Sequence, residues 1–495
     1  MSMEKEKKHP SVFEPFAIVL NLAVSVVGAI IGIQIVTTLG VTPSTSIIGA
    51  LVAMLIARIP MELFRKYKSI HRQNLMQTSI SSATFGAANS LLIPIGIPFI
   101  MGKTELILPM LIGAALAMFI DATLLYKLFD SRIFPARESW APGVATAESI
   151  LAGDKGGKRA GLLGIGALIG VIGSVLKIPM SALGVAFIGN IWALTMFGVG
   201  LLINQYSMPL FQLDVGKLYI AHGIMIGAGI VALIQVAVLI FKREDSAAEA
   251  SKENEAVTVP MRSVKRTLGL GYVAYLAVAV IIAVLGGLMT KMSAGMLIGF
   301  IIFAAFAAFF HELIVGIAAM HSGWFPAFAD MGYDLKTGYI LRGNGSDKEL
   351  EIRGRKQQYY TGMIAFGVAL LTVVLTYKGF FGQNLVPPID KVYASTINAG
   401  ASLDVAMKLL IWAISGAIIQ WIGGPNRQLG VMLATGLLIV SPNACWAVLG
   451  GILIRVAVLK IKGKEAESTM SILAAGFIAG DALYSFFTSV FKASK

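Results

Sequence analysis

Residues Phe16–Leu39 read FAIVLNLAVSVVGAIIGIQIVTTL, and no side chain in this run is charged. A helix of about 20 residues crosses the hydrocarbon core of a bilayer, so the run is long enough to span a membrane. It is too long for the core of a signal peptide and ends without a small-residue cleavage site. We therefore expect an uncleaved first membrane-spanning helix.

Further predominantly apolar runs follow along the 495 residues. They are Ser44–Phe64, Glu105–Tyr126, Gly161–Leu176, Ala182–Ile203, Tyr219–Phe241, Thr267–Met289, Ala294–Ala319, Tyr359–Tyr377, Leu403–Ile422, Gly430–Val440, Asn443–Leu459 and Met470–Phe491. Interrupted stretches, such as Met76–Met101 with Pro94 and Pro98, are typical of re-entrant, broken or tilted helices. The predicted fold is an all-α polytopic membrane protein with about 16 transmembrane or re-entrant helices.

The composition agrees with a chain that is surrounded by lipid. Hydrophobic residues make up 56% of the chain and charged residues only 14%, so a soluble enzyme, a disordered protein and a coiled coil are excluded. Because Cys445 is the only cysteine, an intrachain disulfide is excluded as well.

The net charge of +13 comes mainly from clusters of Lys and Arg between the apolar runs. Such clusters are typical of cytoplasmic loops in membrane proteins. Exposed aromatic residues are not interleaved with them, so nucleic acid is not an expected partner. We predict a multi-pass protein of the plasma (cell inner) membrane with a cytoplasmic N-terminus.

The second half of the chain resembles the first. Residues 179–185 match residues 425–431 at an offset of 246, and residues 147–153 match residues 394–400 at an offset of 247. We therefore predict two homologous halves: a first transmembrane half at 1–245, a charged linker at 246–266 and a second transmembrane half at 267–495. Internal duplication is common in transporters, whose substrate sites lie between the repeats.

Ionisable residues inside apolar stretches are costly, so each is a functional candidate. They are Glu62, Asp121, Glu148, Asp214, His222, His311, Glu312, His321, Asp330, Arg455 and Asp481. Glu148 lies among small residues, where a partly desolvated carboxylate can carry a proton. We predict proton-coupling roles for Glu148, Glu312 and Asp481, with a purely structural role as the alternative.

Two catalytic motifs are incomplete or missing. His311 and Glu312 begin like a zinc-protease helix, but residue 315 is Val rather than His. The sequence also lacks a phosphate-binding loop of the Gly-x-x-x-x-Gly-Lys-Ser/Thr type. We therefore expect no enzyme activity, no cofactor, no metal site and no ATP hydrolysis by this chain.

A polar run lies inside the interrupted stretch. Residues 77–90 carry hydroxyl and amide side chains at high density. This density suits hydrogen bonding to a polar solute, although hydrogen bonding between helices is the alternative. The predicted substrate-binding residues are Gln77, Ser81, Ser82 and Asn89 from this run, and His321, Asn398 and Asn426 near later polar breaks.

Four motifs occur in order along most of the chain. They are Gln77-Thr-Ser with the Ser-, Ala- and Gly-rich segment after it, residues 142–149 (PGVATAES), residues 423–436 (GGPNRQLGVMLATG) and residues 474–483 (AAGFIAGDAL). This ordered set resembles the oligopeptide transporter (OPT) family in a compact prokaryotic form, related to the yellow-stripe-like transporters of metal chelates. The resemblance implies proton-coupled uptake of short peptides or metal chelates by two related helical halves.

The sequence thus predicts a secondary active transporter, proton-coupled, for small peptides or metal chelates. Its expected partners are that substrate, protons or another coupling cation, and the lipid bilayer, with homo-oligomerisation left open. One alternative is a permease or channel subunit that works with a partner ATPase. The other is a membrane-embedded enzyme, which the few histidines and the missing metal spacing disfavour.

Overall fold

The computed structural model of the chain describes residues 9–39, 45–241, 259–290, 327–391, 403–439, 443–463 and 465–493, with a few isolated positions between them, among them Met320. Within these ranges the backbone is helical almost throughout, and the β-contact found there is an isolated bridge between Phe129 and Phe134. The predicted all-α fold is confirmed.

The described part of the first half contains ten α-helices. They are α1 (Pro15–Leu39), α2 (Thr45–Ala57), α3 (Ile70–Phe85), α4 (Ile93–Ile100), α5 (Ile107–Leu128), α6 (Ala141–Lys155), α7 (Gly157–Val175), α8 (Met180–Ile188), α9 (Ile191–Phe211) and α10 (Ile220–Phe241). The described part of the second half contains α11 (Met261–Thr290), α12 (Ala327–Leu341), α13 (Lys348–Gly382), α14 (Leu403–Arg427), α15 (Leu429–Leu438), α16 (Ala444–Lys462) and α17 (Ala466–Ala493).

Helix length and composition support the predicted membrane location. In the part of the chain that the structure describes, 7 helices are long and apolar enough to cross a membrane. These spans are Pro15–Thr37, Ile70–Ile100, Thr104–Leu128, Gly157–Val175, Lys348–Gly382, Leu403–Gly424 and Ala444–Lys462. The polytopic membrane fold is therefore confirmed, while the total number of crossings stays a prediction.

The interrupted stretch Met76–Met101 forms part of one long helical span. Between α3 and α4 the chain continues as π-helix over Gly86–Leu92, so that Ile70–Ile100 is a single span of 31 residues. Pro94 follows the π-helical segment, and Pro98 lies inside α4. The interruption is therefore a local widening of the helix, a feature that often marks functional sites.

Two apolar clusters organise the helices. The larger one packs α1, α3, α4, α5, α11, α12 and α13 around buried rings such as Phe366 and Trp140. The second packs α7, α8, α9 and α10 against α15, α16 and α17, with Phe197 fully buried among them. Helix α6 contacts both α12 and α17, so it links the two groups.

Helices of the second group approach each other through glycines. A Cβ atom on Gly170 of α7 would meet the backbone of Phe477 and Gly480 of α17, and one on Gly480 would meet the backbone of Ala167. In a bilayer the hydrophobic effect does not hold helices together, so close backbone contact between small residues takes its place. The same arrangement joins α9 and α15 at Gly200 and Gly436.

This packing predicts a position-specific effect on stability. We expect Gly170→Leu to lower the free energy of unfolding by about 1–3 kcal/mol, because the new side chain forces α7 and α17 apart. Gly164→Leu is the matched control, since an added Cβ at Gly164 of the same helix meets no atom within 4 Å. Thermal unfolding of the detergent-purified variants measures both effects. Equal melting temperatures for the two variants would contradict the packing argument.

Candidate functional site

A polar cluster is buried where α2, α3 and α12 meet. Its centre is a pair of carboxylates, Asp330 and Asp334, which lie four residues apart on α12 and therefore share one helix face. Asp330 is 2% exposed and Asp334 is 0% exposed. The neighbouring Ser81 lies about 16 Å along α3 from Ile70, the first residue of its membrane span.

Asp334 accepts three hydrogen bonds from neutral side chains. Gln77 Nε2 donates to Asp334 Oδ1 over 2.5 Å, and Ser46 Oγ donates to the same oxygen over 3.0 Å. Ser82 Oγ donates to Asp334 Oδ2 over 3.4 Å. Asp334 thus has donors on both oxygens, from α3 and from the start of α2.

Asp330 has fewer donors than Asp334. Its Oδ1 accepts hydrogen bonds from Thr45 Oγ1 over 2.9 Å and from Ser81 Oγ over 3.1 Å. Its Oδ2 is buried and has no hydrogen-bond partner among the residues that the structure describes. Because Ser81 Oγ also lies 3.0 Å from Ser46 Oγ, the hydroxyls connect the two carboxylates.

In the described ranges no Lys or Arg side chain forms an ion pair with Asp330 or Asp334. The ion pairs found there involve other acidic residues. Two ionised carboxylates this close, and without a counter-charge, repel each other and are both removed from water. An uptake of one proton or one small cation relieves this repulsion.

A second, charge-balanced network lies next to this cluster. The guanidinium of Arg342 pairs with Glu351, with Nε 2.7 Å from Oε2 and Nη2 3.2 Å from Oε1. Arg355 also pairs with Glu351 and lies 3.5 Å from Asp130. Two Arg side chains thus face two carboxylates, and all four are buried.

Gln358 connects the charged network to the carboxylate pair. Its Oε1 accepts from Arg342 Nη1 over 2.8 Å, and its Nε2 donates to the backbone oxygen of Asp334 over 2.6 Å. The same Nε2 lies 3.2 Å from Thr78 Oγ1 on α3. Through this amide, α3, α12 and α13 are held in one arrangement around the carboxylates.

A comparison with family models identifies the chain. The model of the family described as OPT oligopeptide transporter protein matches residues 15–241 and 325–492. The chain belongs to the OPT family. It is therefore a membrane transporter, and the family resemblance in the sequence is confirmed. No match to a curated protein or to a solved structure was found.

The structure places three of the predicted substrate-binding residues of this OPT transporter together. Gln77, Ser81 and Ser82 all contact the carboxylate pair. Asn89 lies further along the same span, in the π-helical segment, and is half-buried. A role of these residues in substrate binding stays a prediction.

The remaining predicted residues lie elsewhere. Glu148 of α6 forms an ion pair with Arg159 of α7. Asp481 of α17 accepts hydrogen bonds from Ser174 Oγ over 2.6 Å and from the backbone N–H of Ser181 over 3.0 Å, so it joins α7 to the start of α8. His321, Glu312 and Asn398 lie outside the described residues, as does the side chain of Asn426.

Sequence reasoning included Asp330 among the ionisable candidates but missed Asp334. The available signal was the i, i+4 spacing of two carboxylates between apolar runs. Arg342, Glu351 and Arg355 were missed because charged residues just before a span are usually assigned to loops. In the described ranges no three His, Cys, Asp or Glu side chains gather to hold a metal ion.

The N-terminal segment, residues 9–14, covers the end of α13 that carries the charged network. Val12 N–H donates to Gln357 Oε1 over 2.9 Å, and Glu14 pairs with Arg72, which holds the pKa of Glu14 below its ordinary value. The ring of His9 lies 5.1 Å from that of His71. Burial, with smaller contributions from the charges of Arg342 and His71, lowers the pKa of His9 from 6.5 to about 3, although the Pro10 carbonyl and Glu351 oppose the shift.

This burial predicts a loss of stability in acid. The folded protein keeps His9 neutral, whereas the unfolded chain binds a proton below 6.5, so the contribution of His9 is present above that pH and is lost as the pH falls toward about 3. Between about pH 7 and pH 5 we expect His9 to account for about 2 kcal/mol of lost unfolding free energy. Chemical unfolding of wild type and of His9→Phe at both pH values checks this. Identical pH dependence in the two proteins would rule the His9 contribution out.

The charged network predicts a contrast between two neighbouring glutamates. Glu351→Gln leaves a buried guanidinium charge uncompensated, so we expect a loss of about 3–5 kcal/mol in unfolding free energy. Glu349 pairs with Arg353 at the surface, and Glu349→Gln should change stability by no more than about 0.5 kcal/mol. Unfolding of the two variants in detergent measures the difference. Tolerance of Glu351→Gln would contradict the assigned network.

Proposed function

We propose that this OPT protein is a secondary active, proton-coupled transporter of short peptides or metal chelates, in which the Asp330–Asp334 pair carries the coupling proton. The observation that supports this assignment is the pair itself: two buried carboxylates one helical turn apart, bonded to neutral donors and with one oxygen unpartnered. Intramembrane carboxylates of this kind commonly act as proton relays in transporters.

The two carboxylates have different roles in this proposal. Asp334 accepts hydrogen bonds from Gln77, Ser46 and Ser82, which favour its ionised form. Asp330 has two donors on one oxygen and none on the other, so it is the member that takes up the proton. Glu148, Glu312 and Asp481 stay candidates for further steps of proton transfer.

The surroundings of the pair suit a polar substrate. The carboxylates accept hydrogen bonds from Gln77, Ser81 and Ser82. A bound peptide or chelate can donate to the carboxylates in place of these side chains. In that case substrate binding and proton binding compete for, or share, the same side chains, which is the physical basis of coupling. We propose that Asn89, His321, Asn398 and Asn426 complete the substrate cavity.

Helix pairing supports the proposed duplication. With an offset of 246, α7 corresponds to α14 and α10 corresponds to α17. The observed contacts are α7 with α17 and α10 with α14, so each contact joins one helix from each half and the two contacts are equivalent under the repeat. We therefore propose homologous halves at 1–245 and 267–495 around the charged linker at 246–266.

Contact directions support halves that run oppositely through the bilayer. Arg58, in the basic loop after α2, donates to the backbone oxygen of Gly153, which lies just before α7. Helix α7 therefore begins at the face of the bundle that carries this basic loop. Helix α17 runs parallel to α7 and begins at the same face. Helix α16 directly precedes α17 and therefore ends at that face. Helix α9 runs antiparallel to α16, because Gly198 contacts Leu449 whereas Gly189, just before α9, contacts the later residue Arg455. Hence α10 and its parallel partner α14 begin at the opposite face, and α14 is inverted relative to α7.

Basic residues mark one end of the bundle. The loop after α5 contacts α12 and α13 through Lys336 and Arg355, and the N-terminal segment lies on the same end of α13. Because excess Lys and Arg accumulate in cytoplasmic loops, we propose that this end and the N-terminus are cytoplasmic in a plasma (cell inner) membrane.

Proteoliposome uptake tests the proposed coupling. A gradient of one pH unit should drive about tenfold accumulation of a transported peptide or metal chelate if one proton moves with it. We expect Asp330→Asn and Asp334→Asn to abolish this accumulation while keeping exchange of substrate between the two sides. Asp404→Asn, at an exposed ion pair with Lys408, is the matched control and should transport normally.

Three results would contradict parts of the proposal. Accumulation that follows a sodium gradient and ignores the pH gradient would exclude proton coupling. Normal accumulation by Asp330→Asn and Asp334→Asn would exclude the pair as the coupling site. Uptake that requires ATP and a second protein would favour the permease alternative.

A further inference from the structure

A crevice separates α5 from α11 at the end of the bundle that carries the basic loops. It has a volume of about 520 Å³. Lys127 at the end of α5, Ser263 and Arg266 in the first turns of α11, and Arg355 of α13 line it. The crevice therefore lies where helices leave the apolar region, with cationic and hydroxyl groups on several sides.

A second cavity continues from the crevice along the same two helices. Its volume is about 320 Å³, and it shares Lys127, Thr267 and Leu270 with the crevice. Its other walls are mainly apolar and include Leu116, Phe119 and Ile120 of α5 and Ala274 of α11. Leu116 and Leu270 are exposed on the outer surface of the bundle, so this groove faces lipid.

The charges in the crevice are of two kinds. Arg355 is engaged by Glu351 and Asp130. Lys127 and Arg266 are exposed, and neither takes part in an ion pair with a residue that the structure describes. Two open cations at the mouth of an apolar groove are complementary to a molecule with an anionic head and an apolar tail.

We propose that this crevice and groove bind one anionic phospholipid. The headgroup phosphate lies between Lys127 and Arg266, within reach of the Ser263 hydroxyl, and an acyl chain lies in the groove between α5 and α11. Basic pockets between membrane helices on the cytoplasmic side bind anionic headgroups for the same electrostatic reason. A soluble phosphate compound does not account for the apolar groove that opens directly from the basic crevice.

The position of Arg355 gives the bound lipid a structural consequence. This side chain forms the wall between the crevice and the buried network of Arg342, Glu351 and Asp130. A phosphate at Lys127 and Arg266 therefore lies one side chain away from the charges that hold α12 against α13. We expect the lipid to stabilise the folded transporter.

Lipid titration of the full-length protein tests this site. Phosphatidylglycerol added to the detergent-purified protein should raise its melting temperature and remain bound in native mass spectrometry, whereas phosphatidylcholine should do so far less. The double variant Lys127→Gln/Arg266→Gln should bind phosphatidylglycerol about thirtyfold more weakly, at about 1 kcal/mol for each cation. Lys158→Gln/Lys460→Gln removes two exposed cations elsewhere and is the matched control.

A third variant tests the apolar half of the site. Ala274→Trp fills the groove and leaves the cations in place, so it should weaken phosphatidylglycerol binding. Equal binding of the two lipids, or unchanged phosphatidylglycerol binding by Lys127→Gln/Arg266→Gln, would overturn the proposal. Stabilisation by inorganic phosphate alone that matches stabilisation by phosphatidylglycerol would also overturn it, because the site would then recognise a free anion.

Discussion

Two carboxylates without a basic partner constrain the architecture around them. Asp330 and Asp334 are buried against the membrane span that contains α3, and in the ranges that the structure describes only hydroxyl and amide groups donate to them. Neutral donors lower the cost of burial but do not cancel the charge. The site therefore changes its energy strongly with the gain or loss of one proton or cation.

The neighbouring network shows the opposite solution to charge burial. Arg342 and Arg355 face Glu351 and Asp130, so the charges are balanced and the arrangement is expected to hold its shape. Gln358 connects this balanced network to the backbone beside Asp334. A charge-balanced group of side chains thus supports a pair of carboxylates whose charge is not balanced.

Much of the fold could be predicted from the sequence, because spans such as Phe16–Leu39 are recognised from local composition alone. The polar run with Gln77, Ser81 and Ser82 also indicated a polar site. The pairing of Ser46 and Ser81 with Asp334 and Asp330 could not be predicted, since it depends on contacts between distant parts of the chain. The sequence around Glu148 and Asp330 also could not predict their partners. Glu148 forms an ion pair with Arg159, whereas one oxygen of Asp330 has no hydrogen-bond partner among the described residues.

We propose that the Asp330–Asp334 pair holds a proton in the resting transporter. Infrared spectroscopy of the purified protein near neutral pH measures this directly, because a neutral carboxylic acid has a C=O stretch that a carboxylate lacks. The account predicts a buried carboxylic-acid band that disappears in Asp330→Asn and shifts in Asp334→Asn. A spectrum in which neither substitution changes this region would contradict it.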